Sequence, residues 1–169
     1  MRSLLVCTGF LVSGCMSATG ASTAPVVAQI QRTYASPAAF YAKTIVIPPG
    51  YETIRLPGIV PDPVTPAGNN QPAVYGDTEM QTASVLAKIA ATLADVGAAE
   101  ADVVAMTVYL VSPAPGQPMD FAGMMRAYSK RYGAETQPNR PVRSTVQVAG
   151  LVAPGILVEI EVTAARRSP

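Results

Sequence analysis

The chain is 169 residues long, 49% hydrophobic and only 14% charged, with a formal net charge of +1. That balance suits a single folded domain with a modest core and argues against a disordered chain. It has no histidine and its two cysteines sit at positions 7 and 15, which excludes Ser-His-Asp and Cys-His nucleophile systems and most transition-metal sites. A run of Lys and Arg, a phosphate-binding glycine loop and a Cys-x-x-Cys pair are all missing, so nucleic-acid, nucleotide and thiol-redox roles lack support.

Residues 1–14 read as a secretory signal peptide: Arg2, a short apolar run from Leu4 to Val12, then small residues. The run is too short to span a bilayer. Val12-Ser13-Gly14-Cys15 resembles the bacterial lipobox, so Cys15 is the expected lipidation site and the protein is expected on the periplasmic side of a membrane as a lipoprotein. Initiation at Met16 would instead give a cytoplasmic protein. Residues 15–36, rich in Ala, Ser and Thr, read as a flexible tether, and residues 37–167 as one domain.

Phe40 to Ile47 and Tyr51 to Ile59 read as a hairpin turned by Pro48-Pro49-Gly50. A long loop with four prolines, Pro61 to Pro72, follows and could border a site. A helix opens at Gly76-Asp77-Thr78, where Thr78 and Gln81 have capping-box spacing. Leu86, Ile89, Leu93 and Val96 form its buried stripe, and Gly97 fits its C-terminal end. Asp102 to Val111 is an apolar, β-branched strand expected at the sheet centre. Asp120 can cap a second helix carrying Phe121, Met124, Met125, Tyr128 and Tyr132 at helical spacing, a stripe that core packing explains more readily than a ligand surface.

The last two strands carry the chemistry. Val142, Ser144, Val146 and Val148 alternate with Arg143, Thr145, Gln147 and Ala149; after a turn at Pro154-Gly155, Ile156, Val158, Ile160 and Val162 alternate with Glu159, Glu161 and Thr163. Period-2 patterning predicts neighbouring strands whose Arg143 and Glu159 both point away from the apolar layer. A guanidinium there can grip a carboxylate bidentately, and a glutamate can hold or activate water. A surface ion pair across a hairpin is the plainer reading of the same pattern.

PVRSTVQVAGL followed by LVEIEVTA resembles the C-terminal signature of the reactive-intermediate deaminase (Rid, or YjgF-type) family. Upstream, GDTEMQTASVLAKIAATL, DVVAMTVYLV and MDFAGMMRAYSKRYG are similar to that family's first helix, middle strand and second helix, in order, so the resemblance runs from about Ser36 to Arg166. The element order itself predicts an α+β fold, one mixed sheet with two helices on one face. The resemblance adds trimerisation through the uncovered sheet faces, with a site in each inter-subunit cleft.

The resemblance further implies hydrolysis of 2-imino or 2-enamino acids to 2-oxo acids and ammonia, without metal or organic cofactor. Arg143 would bind the substrate carboxylate, Glu159 would position and deprotonate water, and the Thr145 backbone carbonyl would help hold that water. Gly58 and Tyr41 would contact substrate. Two departures stand out. Pro57-Gly58 replaces the family's frequent Ser-Gly, and Lys43 lies near where many members have a first-strand aromatic. The alternatives are a non-catalytic trimeric module binding a small carboxylate, and a purely structural envelope protein.

Overall fold

The computed structural model describes residues 28–68 and 70–168; the segment expected to be a signal peptide, Cys15 and most of the segment expected to be a tether lie outside them. Nine elements follow in order: β1 (Gln31–Thr33), β2 (Thr44–Val46), β3 (Tyr51–Ile59), α1 (Thr78–Asp95), a 3-10 turn (Glu100–Asp102), β4 (Val103–Leu110), α2 (Phe121–Tyr128), β5 (Val142–Gln147) and β6 (Val158–Arg167). The main sheet has the order β3-β6-β4-β5. Its β4–β5 pair is parallel and its other pairs are antiparallel, the mixed α+β sheet expected.

The core lies between one sheet face and the helices. Val85, Leu86, Ile89 and Leu93 of α1 meet Met106, Val108 and Leu110 of β4 and Val158, Ile160 and Val162 of β6, with Met124 and Tyr128 of α2 closing the layer. Each fully buried aliphatic side chain there contributes about 1.5–3 kcal/mol. Val96, expected in the α1 stripe, is 46% exposed because the helix has ended by that residue, before Gly97 at φ +72°.

Several expectations are corrected. Phe40–Ile47 and Tyr51–Ile59 do not form a hairpin: β2 pairs with β1 (Arg32↔Ile45), while β3 runs along β6 from Tyr51↔Arg167 to Ile59↔Ile160. Three residues of β2 cannot compete with the long ladder that β6 offers β3, and Pro48 and Pro49 cannot donate to any ladder. Because β1 falls within the segment assigned to the tether, the ordered chain starts before residue 37. Arg32 ties β1 down, its Nη2 donating to Ala101 O at 3.0 Å.

The capping box is also replaced. Asp77 is the N-cap of α1, accepting from Met80 N at 2.8 Å. Gln81 is fully buried and joins the helix to the approach to β6: its Nε2 donates to Gly76 O (3.0 Å) and Gly155 O (2.9 Å), and its Oε1 accepts from Leu157 N (2.7 Å). Buried amide groups need partners, and a three-bond network meets that need better than a solvent-exposed box.

Finally, β5 and β6 are not neighbours, because β4 lies between them. The register Met106↔Arg143 turns Arg143, with Thr145 and Gln147, toward the helices, and leaves Val146 41% exposed on the other face. The apolar alternation of β5 was therefore one residue out of phase as a guide to the core.

Candidate functional site

Arg143 emerges from edge strand β5 beneath α2. Its Cζ lies 4.2 Å from the ring centroid of Tyr128 and 5.9 Å from that of Phe121, and its Nη1 donates to Met125 Sδ at 3.2 Å. Helical spacing places these three side chains on one face of α2, which Asp120 starts by accepting from Gly123 N at 2.8 Å. The predicted stripe thus divides: Met124, Tyr128 and Tyr132 are core, while Phe121, Met125 and the upper face of Tyr128 form a bed for a cation. No carboxylate pairs with Arg143 among the described residues.

Burial lowers the Arg143 pKa, and the Tyr128 ring system opposes that change. Burial likewise pushes the Tyr128 hydroxyl up to about 12, against the pull of Arg143; the hydroxyl donates to Phe40 O at 3.0 Å. The guanidinium is desolvated on one side by aromatic and thioether groups and has no anion, an arrangement that rewards an incoming carboxylate. Tyr41 and Arg143 line one cavity of about 370 Å³, with Lys43, Thr107 and Ser144. Thr145 lies two residues beyond Arg143 on the same edge strand, its Oγ1 buried without a hydrogen-bond partner.

Glu159 belongs to the opposite face. It is in register with Tyr109, and its side chain lies across Gly58: a Cβ at Gly58 would overlap the Glu159 carboxylate and stand 2.7 Å from its Cδ. Pro57-Gly58 form a bulge between Leu56↔Val162 and Ile59↔Ile160, a place where a residue without a ladder donor is tolerated. Glu161, read as structural, accepts from Tyr109 OH at 3.1 Å. That hydrogen bond raises the Tyr109 pKa.

The structure therefore places the expected site residues in two groups. Gly58 and Glu159 meet on the open face, and Tyr41 and Arg143 share a cavity at the β5 edge. Arg143 and Glu159 are not brought together: they stand two strand spacings apart, about 10 Å, are offset along β4, and point to opposite sides. Sequence reasoning missed the Arg143 bed, although the 121/125/128 spacing on α2 carried its signal.

The family model described as Endoribonuclease L-PSP matches residues 52–166. A RutC family protein of Pyrococcus abyssi is 37% identical over 91 residues, which cover 54% of this chain and 64%, just under two thirds, of that relative. A Rid-family protein of unknown function from Yersinia pestis superposes with a TM-score of 0.56 at 26% identity, covering 74% of this chain and 86% of its own. TdcF of E. coli, whose structure holds bound serine, superposes with a TM-score of 0.51 at 26% identity, covering 71% and 84%.

Proposed function

The chain belongs to the Endoribonuclease L-PSP family, which takes in the Rid and YjgF proteins, and from that membership we propose that it hydrolyses 2-imino or 2-enamino acids to 2-oxo acids and ammonia. The observation that carries the reading is Arg143: a half-buried guanidinium stacked on Tyr128 with no carboxylate of its own among the described residues. A small planar carboxylate fits that vacancy in charge and geometry. The serine bound by TdcF is such a carboxylate. The endoribonuclease description is not carried over, since a chain of net charge +1 without histidine offers neither an electrostatic track for RNA nor the usual proton shuttle.

In this reading, Arg143 fixes the substrate through its carboxylate, which places the imine carbon. Water adds to that carbon, and Glu159 takes one of its protons and returns it to the nitrogen. The resulting carbinolamine collapses: its hydroxyl proton also passes to nitrogen, the carbonyl forms and the carbon–nitrogen bond breaks to release ammonia. The Thr145 carbonyl holds the water and Tyr41 flanks the substrate. An imine is already electrophilic, so positioning and one base are sufficient chemistry. Because Arg143 and Glu159 face opposite sides of one sheet, the site forms where Arg143 of one subunit meets Glu159 of the partner subunit, in a homotrimer closed through the open sheet faces.

The separation of the two groups also favours a second reading, a module that binds a carboxylate through Arg143 without turning it over. The deciding experiment is ammonia and 2-oxo-acid release from freshly generated 2-iminopropanoate and 2-iminobutanoate, beside Arg143→Ala. Acceleration over the spontaneous rate that the substitution abolishes upholds the deaminase. No acceleration by folded protein sinks it in favour of the binder.

A further inference from the structure

A second cavity, of about 300 Å³, sits where β1, the start of β3, the end of β6 and the 3-10 turn converge. It shares no lining residue with the cavity at Arg143. Gln29, Arg32, Tyr51, Asp102, Asn139 and Arg167 are its polar lining residues. The Arg32 guanidinium is fixed in place: Nη2 donates to Ala101 O at 3.0 Å and Val103 O at 3.4 Å, and Asn139 Nδ2 donates to the same Ala101 O at 3.1 Å. Its Nη1 makes no hydrogen bond among the described residues, and burial lowers its pKa.

Arg167 faces it across the cavity, its Cζ 5.8 Å from the Tyr51 ring centroid and only its Nη2 engaged, with Ala28 O at 3.4 Å. Two other arginines close by are paired: Arg166 with Glu52 at 2.6 Å and Arg131 with Glu100 at 2.8 Å. Arg32 and Arg167 have no such partner among the described residues. The one acid in the wall, Asp102, spends Oδ2 on Ala99 N at 2.8 Å. Two arginines and a tyrosine therefore line the cavity against one carboxylate, a net positive wall.

We propose that this cavity is an oxyanion site for a phosphoryl group, with Arg32, Arg167 and the Tyr51 hydroxyl as its donors. Donors arriving from three separate elements surround a tetrahedral anion better than a planar carboxylate, which a single fork satisfies. The phosphoryl group belongs either to a soluble phosphate compound or to a lipid headgroup. Binding stitches β1 to β3 and β6, so occupancy stabilises the fold by mass action.

The test uses the full chain, titrated with inorganic phosphate against chloride at matched ionic strength, and read by calorimetry and thermal unfolding. Wild type should bind phosphate and gain Tm. Arg167→Gln, an exposed position, should weaken binding by about 10-fold or more, the loss of one charge-assisted donor set, and Tyr51→Phe should weaken it less. Absence of a phosphate-specific signal in wild type, or binding as tight as wild type by both Arg167→Gln and Arg32→Gln, overturns the proposal. Co-sedimentation with phosphatidylglycerol but not phosphatidylcholine vesicles, lost in Arg167→Gln, assigns the site to a headgroup; phosphate binding without it assigns a soluble ligand.

Discussion

Arg143 and Glu159 stand on opposite faces of one sheet, Arg143 in register with Met106 on the helix side and Glu159 with Tyr109 on the open side. Neither side chain can reach the other around the intervening strand. A catalytic pair made from them must span two chains, and that has a direct signature. Arg143→Ala and Glu159→Gln proteins, each inactive alone, should recover activity when unfolded together and refolded as mixed trimers. Random assembly gives intact Arg–Glu pairs at about a quarter of the sites. Recovery near zero would show that one chain supplies both groups.

Gly58 should prove a functional position more than a structural one. The nearest atoms a methyl there meets all belong to the Glu159 side chain, so Gly58→Ala should displace the carboxylate and leave the fold intact. Turnover of 2-iminobutanoate should fall by about 10–100-fold, as misplaced catalytic groups do, with little change in Tm. Combined with Glu159→Gln the loss should not grow, because both substitutions disable one group. An additive loss would mean that Gly58 acts on substrate independently.

Arg143→Ala should separate activity from stability. Rate enhancement should drop by at least about 100-fold, yet unfolding free energy should change by no more than about 1 kcal/mol. The substitution removes a desolvated cation that has no anion, and this relief offsets the lost contact with Tyr128. Arg143→Lys should stay impaired, since an ammonium cannot reproduce a stacked bidentate fork. Denaturant titration beside the imine assay reads both quantities.

Tyr128 predicts an alkaline weakness. Its folded pKa is raised from the ordinary 10.0 to about 12 by burial, so the native state keeps a proton that the unfolded chain releases. Its contribution is complete below pH 10 and is lost as pH climbs toward 12, by up to about 2–3 kcal/mol. Tyr132, shifted the same way by burial, adds to that slope. Tyr128→Phe should remove part of it in denaturation curves at pH 9 and pH 11.5. An unchanged slope would assign the titration elsewhere.

Gln81 is expected to be worth more than any single ion pair on the surface. Gln81→Leu would strand Gly76 O, Gly155 O and Leu157 N inside the protein, at a cost of about 2–4 kcal/mol. Lys88→Ala, which breaks an exposed pair with Asp62, should cost under about 1 kcal/mol. The comparison needs only three melting curves, wild type included.

The elements that were legible in the sequence are those whose burial is decided locally. The stripe of Leu86, Ile89 and Leu93, the apolar β4 and the alternation of β6 each predicted their own environment, because each packs against the core on one side. Pairing was less legible. The turn-like Pro48-Pro49-Gly50 implied a hairpin, but β3 is won by β6 from more than a hundred residues away, and no local pattern encodes that competition. For β5, an edge strand, Val142 and Val146 imitate a buried face while Arg143 turns to α2. Arg143, Glu159, Gly58 and Tyr41 were all named from the sequence. Their division into two groups depends on strand order, which residue spacing does not contain.

The place of β6 in that strand order has a consequence for synthesis of the protein. It is the last strand among the described residues yet lies inside the sheet, flanked by β3 and β4. During translation, α1 and α2 can form as soon as they leave the ribosome, but β3 and β4 have no shared partner until Val158–Arg167 emerges. The nascent chain must hold β3 without its partner from residue 59 until β6 emerges, and β4 with at most β5 beside it. Loss of even the final few residues of β6 would free the start of β3 along Tyr51–Thr53, and a chain stalled there would present the cell with an open edge that other unfinished copies can join.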